Sequence, residues 1–193
     1  MRRKDREVEN REEIYGIFGR FSMVMLLPVT QTNYMREKEM NGIIYKKTTK
    51  ADMEILMKLR LEMLIEVNDL SSEYEYDENF ISESRRYFES GEQTTVIAFD
   101  GETPVGCASL SYIWIMPTYS HPTGNRSHLM NVYTRADHRR KGISKKMVEI
   151  LIDEAKENGV TEISLDTTEK GRPLYESLGF KSSDSCMIMN LKF

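Results

Sequence analysis

The chain has 193 residues and a net charge of −4, which is enough length for one domain with a full hydrophobic core. The acidic balance argues against a broad nucleic-acid interface, so we expect small partners. Two cysteines, Cys107 and Cys186, provide no disulfide framework, and the three histidines lack the spacing of a metal site.

Residues 1–42 are predicted to form an N-terminal extension whose role is open. A charged start is followed by an apolar run from Phe21 to Val29, which superficially imitates a signal peptide. The charged part is too long, Arg20 interrupts the apolar stretch, and so short a run cannot cross a bilayer about 30 Å thick. We therefore expect a cytoplasmic chain without membrane contact, whose domain occupies residues 43–193.

Short strands and two helices are predicted in the first half of that domain. Residues Ile43 to Lys47 have the composition of a strand, and a helix opens after Lys50. A second helix is predicted from Glu78 to Glu89. The first helix is indicated by apolar residues at helical spacing, namely Leu56, Leu59, Met63 and Val67.

A hairpin, a strand and a long helix follow. Gln93 to Phe99 and Pro104 to Ile115 are rich in strand-forming residues and are separated by Asp100-Gly101, a strong tight-turn signal. The fourth strand is predicted from Ser127 to Thr134. Apolar residues at helical spacing then indicate an amphipathic helix from Ile143 to Asn158.

The last predicted elements are a strand from Glu162 to Thr167, a short helix from Glu169 to Ser177 and a strand from Cys186 to Phe193. A strand, a helix and a strand between Ser127 and Thr167 require a parallel pair, whereas the preceding hairpin is antiparallel. We therefore predict an α/β (α+β) fold with a mixed, mostly antiparallel sheet flanked by helices.

A basic turn, Arg139-Arg140-Lys141-Gly142-Ile143-Ser144, joins the fourth strand to the long helix. Free N–H groups at a helix start, the positive end of the helix dipole and adjacent cations together favour a phosphate or diphosphate. The same turn can be no more than a solvated helix cap, and the side chains of Lys141 and Lys145 can simply be solvated.

A second segment, Leu174-Tyr175-Glu176-Ser177-Leu178-Gly179-Phe180, gives the turn a context. The two segments resemble the Gln/Arg-x-x-Gly-x-Gly/Ala acetyl-CoA loop and the closing Leu-Tyr-x-x-x-Gly-Phe segment of the GNAT N-acetyltransferase family. Ser144 is the one departure, since relatives usually carry Gly or Ala there. The resemblance covers roughly residues 43–193 and implies two central parallel strands that splay apart to admit acetyl-CoA as cosubstrate.

The resemblance also implies which residues bind acetyl-CoA. The backbone of the basic turn would hold the diphosphate, with Gly142 permitting close approach. Backbone groups at the end of the fourth strand would pair with the pantetheine amides, and Thr168 stands where many relatives have Asn. The predicted cofactor contacts are Val132, Tyr133, Thr134, Arg139, Arg140, Lys141, Gly142, Ile143, Ser144, Thr167 and Thr168.

Three residues are catalytic candidates. Tyr175 occupies the position from which many relatives donate a proton to the departing sulfur of CoA, although it can also be an ordinary aromatic on the apolar face of a short helix. His128 falls where some relatives project a catalytic Glu, and neutral imidazole suits proton removal near neutral pH. It can equally be a packed or solvent-facing strand residue. Asp166, on the facing strand, is a second candidate for orienting the amine.

The predicted reaction is direct acetyl transfer, in a ternary complex, to a primary amine of a small molecule. The acidic and aromatic run from Glu73 to Glu78 would attract a cationic amine, or is a solvated linker. Trp114, Tyr119 and His121 are further candidates for the pocket wall. A peptide or protein acceptor, a catalytically silent acyl-CoA-binding module and a homodimer all stay open.

Overall fold

The computed structural model describes residues 38–40, 42–183 and 186–191. Its strands are β1 Lys38–Met40, β2 Ile43–Lys47, β3 Gln93–Asp100, β4 Thr103–Trp114, β5 Asn125–Thr134 and β6 Glu162–Leu165. Its α-helices are α1 Met53–Val67, α2 Glu78–Ser90, α3 Ile143–Glu157 and α4 Arg172–Glu176. Within the described ranges, none of the helices is long and apolar enough to span a bilayer.

The strands form one sheet in chain order, from β1 to β6. Every neighbouring pair from β1 to β5 is antiparallel, and β5 pairs with β6 in parallel. Helix α3 makes the connection between these two parallel strands, as the crossover rule requires. The predicted mixed, mostly antiparallel sheet flanked by helices is confirmed.

The two faces of the sheet carry separate apolar clusters, because alternate residues of a strand point to opposite faces. On β4, Ala108 and Leu110 belong to the cluster that includes Met147 and Leu151 of α3. Cys107 points the other way, into the cluster of α1 and α2 residues. Each fully buried aliphatic side chain stabilises the fold by roughly 1.5–3 kcal/mol, so these clusters fix α1, α2 and α3 on the sheet.

The central parallel pair separates before β5 ends. Residues Arg126 to Leu129 of β5 pair with Glu162 to Leu165 of β6, and the recorded pairing stops there. On its other side β5 stays paired with β4 as far as Thr134. In the described part of the chain the final residues of β5 therefore have no recorded strand neighbour on the β6 side, which confirms the predicted splay.

A β-bulge interrupts β5 at the point where the two strands separate. Ser109 pairs with Met130 and Cys107 pairs with Tyr133, so two residues of β5 oppose one residue of β4. Asn131, in the bulge, has a φ of 56°, a left-handed conformation that Asn tolerates better than most residues. The bulge changes which side chains of β5 face α1 and α2.

The predicted final strand is wrong over the residues that the structure describes. Residues 186–191 form no strand, and Met187, Ile188, Met189 and Leu191 are exposed. The apolar composition of this segment favours a strand, but a strand also needs a neighbour for its backbone hydrogen bonds, and none is recorded here. Residues 192–193 lie outside the described part of the chain.

Strand β1 was not predicted, and it lies before the expected domain boundary at residue 43. Residues 1–37 are outside the described residues, so the division into extension and domain stays a prediction. Elsewhere the predicted elements are present with small shifts of their ends. The largest shift is at α4, which begins at Arg172 rather than Glu169, because Pro173 suits the first turn of a helix.

Candidate active site

A cleft of about 1030 Å³ lies where β5 ends and α3 begins, and α4 forms its other wall. It brings together most of the residues predicted to contact the cofactor. Lys141 and Thr167 flank the cleft without lining it. The predicted residues that line it are Val132, Tyr133, Thr134, Arg139, Arg140, Gly142, Ile143, Ser144, Thr168 and Tyr175.

The start of α3 supplies backbone donors to this cleft. Gly142 caps the helix with φ 78° and ψ 4°, and the first helical hydrogen bond runs from the N–H of Lys146 to the carbonyl of Gly142 at 3.0 Å. The N–H groups of Ile143 and Ser144 precede that bond and have no helical partner. A Cβ atom on Gly142 would meet no protein atom within 4 Å, so the space beside this cap is open. A diphosphate fits these donors.

Ser144, the departure from the family pattern, ties the helix start to the end of β5. Its hydroxyl lies 2.7 Å from the hydroxyl of Thr134, and Thr134 is buried. A residue that lacks a hydroxyl cannot make this link. The serine therefore keeps the backbone donors of α3 at a fixed distance from the free edge of β5.

Arg139 is held by protein groups rather than standing free for a ligand. Its Nε donates to the carbonyl of Thr134 at 2.8 Å, and its guanidinium pairs with Glu66 of α1 at 2.5 Å. The same guanidinium lies 5.9 Å from the ring centre of Tyr133. Arg139 thus braces the cleft and is largely neutralised, whereas Arg140 and Lys145 are exposed at its rim.

Tyr175 lines the cleft from α4 and is half-buried. Its ring packs edge-on against Phe180, with 5.9 Å between the ring centres. Burial raises the pKa of the Tyr175 phenol above its ordinary value, because the low-dielectric surroundings disfavour the phenolate. The phenol is therefore protonated near neutral pH and can donate to an anion that forms in the cleft.

His128 and Asp166 lie together but outside the cleft. Nδ1 of His128 is 2.9 Å from the hydroxyl of Ser164, and Nε2 is 3.7 Å from a carboxylate oxygen of Asp166. His128 pairs directly with Ser111 across β4 and β5, so their side chains share one face of the sheet. The Ser111 hydroxyl contacts the sulfur of Met130, and Met130 lines a second cavity on that face.

This second cavity, of about 290 Å³, lies between α1, α2 and β5. Arg60, Phe80, Ser84 and Asn131 are among the residues that line it. It lies one residue along β5 from the cleft described above, because Asn131 lines this cavity and the next residue, Val132, lines the cleft. We name it the acceptor cavity, since a molecule that occupies it lies next to the gap between β5 and β6.

Arg60 and Asn131 were not identified from the sequence. For Arg60 a signal was present, because this cation lies one turn from both Leu56 and Met63 on the apolar face of α1. For Asn131 there was none, since the bulge depends on how β5 pairs with β4. Both residues face the acceptor cavity as a result of tertiary structure.

The acidic run before α2 is largely exposed, and Glu73 and Glu75 line none of the described cavities. Its two aromatic residues contact each other, and of the two only Tyr76 is partly buried. The rings of Tyr74 and Tyr76 are 4.9 Å apart, and Tyr76 stacks on Phe80 at 5.2 Å. The expectation of a cationic acceptor thus gains no support from the placement of the carboxylates.

The other candidates for a pocket wall lie at the far end of β5. Trp114 is 78 % exposed and pairs with Asn125, about 20 Å along the strand from the bulge. Tyr119 is fully exposed, and His121 is bound to Thr161 and Glu162. Trp114 lines a separate cavity there, so these residues are not part of either cavity at the splay.

Neither a reactive thiol nor a metal site lies at the splay in the described part of the chain. Burial raises the pKa of Cys107 to about 12, so its thiol is protonated and unreactive near neutral pH. Cys186 is exposed and lines neither the cleft nor the acceptor cavity. The described residues contain no group of three or more His, Cys, Asp or Glu side chains that could hold a metal ion.

Comparison with known proteins places this geometry in context. A model of the acetyltransferase (GNAT) family matches residues 61–180. A predicted acetyltransferase of Clostridium acetobutylicum, crystallised with acetyl-CoA, is 28% identical with a TM-score of 0.69, over 77% of this chain and 96% of that one. A glucosamine-6-phosphate N-acetyltransferase of Arabidopsis thaliana shares the fold at 18% identity and a TM-score of 0.58, over 78% of this chain and 99% of that one.

Curated relatives match a smaller part of the chain. An uncharacterised N-acetyltransferase, YsnE, of Bacillus subtilis is 30% identical over 44% of this chain and 53% of the relative. A glucosamine 6-phosphate N-acetyltransferase of Trypanosoma brucei brucei is 30% identical over 45% of this chain and 57% of the relative. The chain therefore spans little more than half the length of these two relatives.

Proposed function

The chain belongs to the acetyltransferase (GNAT) family, and we propose that it transfers the acetyl group of acetyl-CoA directly to the primary amine of a small molecule. The observation that carries the proposal is the cleft itself. The helix start at Gly142, the unpaired end of β5 and the phenol of Tyr175 all line one continuous space. Acetyl-CoA is the cosubstrate that this family membership implies.

The donor end of the cleft accounts for binding. The N–H groups of Ile143 and Ser144 and the positive end of α3 suit the diphosphate of acetyl-CoA, with Arg140 adding charge at the rim. Between Val132 and Thr134 the backbone groups on the β6 side of β5 suit the amides of the pantetheine arm, because β6 does not use them; the carbonyl of Thr134 already accepts from Arg139. When bound, acetyl-CoA supplies an activated thioester.

Tyr175 is assigned as the proton donor. Its half-buried phenol is held by packing against Phe180, and its raised pKa keeps it protonated near neutral pH. A positioned acid that donates to a leaving group typically accelerates a reaction by about 10²–10⁴-fold. No protein nucleophile is invoked, because Cys107 is buried and protonated.

His128 is assigned as the group that removes a proton from the amine, directly or through water. Its Nδ1 is fixed by the hydroxyl of Ser164, which leaves Nε2 on the face of the sheet that carries the acceptor cavity. Asp166 lies 3.7 Å from Nε2, so its carboxylate can stabilise the imidazolium after proton transfer. Asp166 is therefore a positioning residue for His128.

The volume of the acceptor cavity and the names of two relatives of this chain support a small-molecule amine as the acceptor. The acceptor cavity of about 290 Å³ suits a small molecule better than a folded protein surface. Two curated relatives bear the name glucosamine 6-phosphate N-acetyltransferase, and the substrate in that name is a small primary amine. We assign this chemical class to the present chain and not the particular sugar.

The division of the chain into an N-terminal extension and an acetyltransferase domain is also part of the proposal. Residues 43–193 are taken as the acetyltransferase domain and residues 1–42 as an extension. The cytoplasmic location remains part of the proposal and rests on the sequence.

The test is acetyl transfer by the purified full chain to a panel of primary amines, measured by release of the free thiol of CoA and by mass spectrometry of the N-acetyl product. We expect product that depends on both acetyl-CoA and the amine, with equal amounts of thiol and product. Acetyl-CoA binding without turnover on any amine would contradict the proposal and would instead identify a silent acyl-CoA-binding module. Failure to bind acetyl-CoA would overturn the site assignment as well.

A further inference from the structure

Arg60 is a half-buried cation that lines the acceptor cavity, and no carboxylate partner is recorded for it. Among the described residues its hydrogen bonds run to the hydroxyl of Ser84 and to the side-chain oxygen of Asn131, both at 3.4 Å. Both contacts are long, and both acceptors are neutral. A guanidinium carries five N–H donors, so this set leaves most of its donor capacity unused.

The carboxylates of α1 are committed elsewhere. Glu54 binds Arg85, Glu62 binds Arg135 and Glu66 binds Arg139, at 2.5–2.8 Å. Glu83 also lines the acceptor cavity, but it is bound to Arg86. Each of these acids is therefore paired with another arginine, and Arg60 is left as a half-buried cation without a recorded acid partner in the described part of the chain.

The groups that interact electrostatically with Arg60 are Cys107, Tyr87 and Tyr76, and none of them is a carboxylate. Desolvation by burial lowers the pKa of Arg60, although the guanidinium stays charged. Leaving a cation partly buried without a counter-ion costs free energy. An anion that enters the cavity and pairs with Arg60 would offset this free-energy cost.

A further donor lies close by. The hydroxyl of Tyr76 is buried and has no hydrogen-bond partner among the described residues. The ring of Tyr76 stacks on Phe80, and Arg60 lies 5.7 Å from the centre of the Phe80 ring. The ring of Phe80 therefore lies between Tyr76, whose hydroxyl is an unused donor, and Arg60, whose N–H donors are also largely unused.

We propose that Arg60 binds an anionic group of the amine acceptor, a carboxylate or a phosphate, in the acceptor cavity. The planar guanidinium matches the oxygen spacing of either group. Arg60 contacts Asn131, and the next residue along β5 is Val132, which lies at the splay. The anion site is therefore close to the place where the amine would react, so a compact molecule can carry both the anionic group and the amine. The inference rests on the proposed function and specifies its substrate class.

The test compares matched amines as acceptors for the full chain. The pairs are ethanolamine with O-phosphoethanolamine, glucosamine with glucosamine 6-phosphate, and glycinamide with glycine. We expect the anionic amine to have a kcat/KM at least about tenfold higher than its neutral counterpart, as for a charge-assisted hydrogen bond. This preference should occur either in the two phosphate pairs or in the carboxylate pair. The pair that shows the preference identifies the anion. Equal kcat/KM values within every pair would overturn the proposal.

Variants show whether Arg60 is responsible for the preference. In Arg60→Gln the ratio of kcat/KM values within each pair should fall to about one, because the charge that recognises the anion is gone. Arg60→Lys should retain part of the preference, because the charge remains and the fork is lost. Arg85→Gln is the matched control, since Arg85 lies on α2 and binds Glu54 outside the cavity. A preference that survives in Arg60→Gln would contradict the assignment.

A binding measurement separates this proposal from the proposed function. With CoA saturating the cleft, so that the start of α3 is already occupied, O-phosphoethanolamine and inorganic phosphate should raise the Tm of the parent but not of Arg60→Gln, and acetyl-CoA should bind both proteins equally. If no amine is acetylated while this anion effect holds, the acetyltransferase proposal fails and the anion site stands. If acetylation occurs with no effect of anions on Tm and no preference within the pairs, the anion site fails alone.

Discussion

The cofactor cleft and the acceptor cavity meet at Asn131 and Val132, yet the chain builds them in different ways. The cleft depends largely on backbone groups, supplied by one helix start and one strand end. The acceptor cavity depends on side chains from α1, α2 and β5. A site made of backbone tolerates many side chains, whereas a site made of side chains can change its substrate by single substitutions.

Their arginines show the same contrast. Arg139 beside the cleft is neutralised by Glu66, whereas Arg60 in the acceptor cavity has no carboxylate among its recorded partners in the described residues. The cleft can leave its arginine paired because the helix start already supplies donors for a diphosphate. At the acceptor cavity the first turn of α2, which contains Phe80, is already capped by the side chain of Asp77, so the guanidinium of Arg60 is the group available for recognition. The variants below test this contrast.

The largest effect is expected for Tyr175→Phe, which removes the proton donor and keeps the ring. We expect kcat to fall by about 100-fold, as is typical for loss of a general acid, with unchanged affinity for acetyl-CoA. Steady-state kinetics and calorimetry measure the two quantities. Unchanged kcat, with chemistry shown to limit the rate, would return Tyr175 to a purely structural role in the cleft.

The pH dependence of kcat, compared between the parent and Tyr175→Phe, tests the protonation state of the phenol. An ordinary tyrosine has a pKa of about 10, and burial raises the pKa of Tyr175 further. The donor form therefore persists from neutral pH to about pH 9, and the ratio of parent to variant rates should stay constant over that range. A ratio that falls between about pH 7 and 9 would show that the phenol ionises there, contrary to its burial.

Gly142→Asp should follow in size, with acetyl-CoA affinity reduced by about thirtyfold, or about 2 kcal/mol. The added carboxylate would occupy the open space beside the helix cap and repel the diphosphate. Gly159→Asp is the matched control, because Gly159 has a φ of 67° just beyond the other end of α3 and equally open surroundings. Equal losses of affinity in the two variants would indicate strain in the helix rather than a diphosphate site.

Much of the cleft could be predicted from the sequence because its signals are local. A basic turn with one glycine before an amphipathic run predicts a helix start, and α3 begins at Ile143 as predicted. Helical periodicity similarly located α1 and α3. By contrast, Arg60 and Asn131 contact each other across 71 positions of the chain, through a bulge that strand composition does not encode.

The wrong prediction of a final strand has a related cause. Residues Met187 to Leu191 have strand-forming composition, but composition describes only how well a side chain suits a sheet. Whether a strand forms depends on a partner with free backbone groups at the right place. The sequence contains no local sign of that partner, which is also why β1 was not predicted.

His128→Gln tests the acceptor face and should lower kcat/KM by about tenfold near neutral pH. The amide cannot accept the amine proton, so the fall in rate that protonation of the imidazole produces at acidic pH should disappear. His121→Gln is the matched control, since His121 lies at the far end of the sheet and binds Glu162. If the acidic fall in rate persists in His128→Gln, proton removal belongs to Asp166, to water or to the acceptor itself.

The smallest effect is expected for Glu66→Gln, which removes the counter-ion of Arg139. The guanidinium would then add its full charge beside the diphosphate, and acetyl-CoA should bind about twofold more tightly, because exposed ion pairs are weak. Glu54→Gln, on the same helix and paired with Arg85, should have no such effect. Weaker binding in Glu66→Gln would show that Glu66 matters by positioning Arg139 rather than by neutralising it.

Direct transfer requires that the cleft and the acceptor cavity, which lie one residue apart along β5, be filled at the same time. Initial rates measured while acetyl-CoA and the best amine of the panel are both varied test this requirement most directly. We predict intersecting lines in double-reciprocal plots and no acetylated protein after incubation with acetyl-CoA alone. Parallel lines together with a stable acetyl-protein would contradict direct transfer and would require a nucleophile that the cleft does not provide.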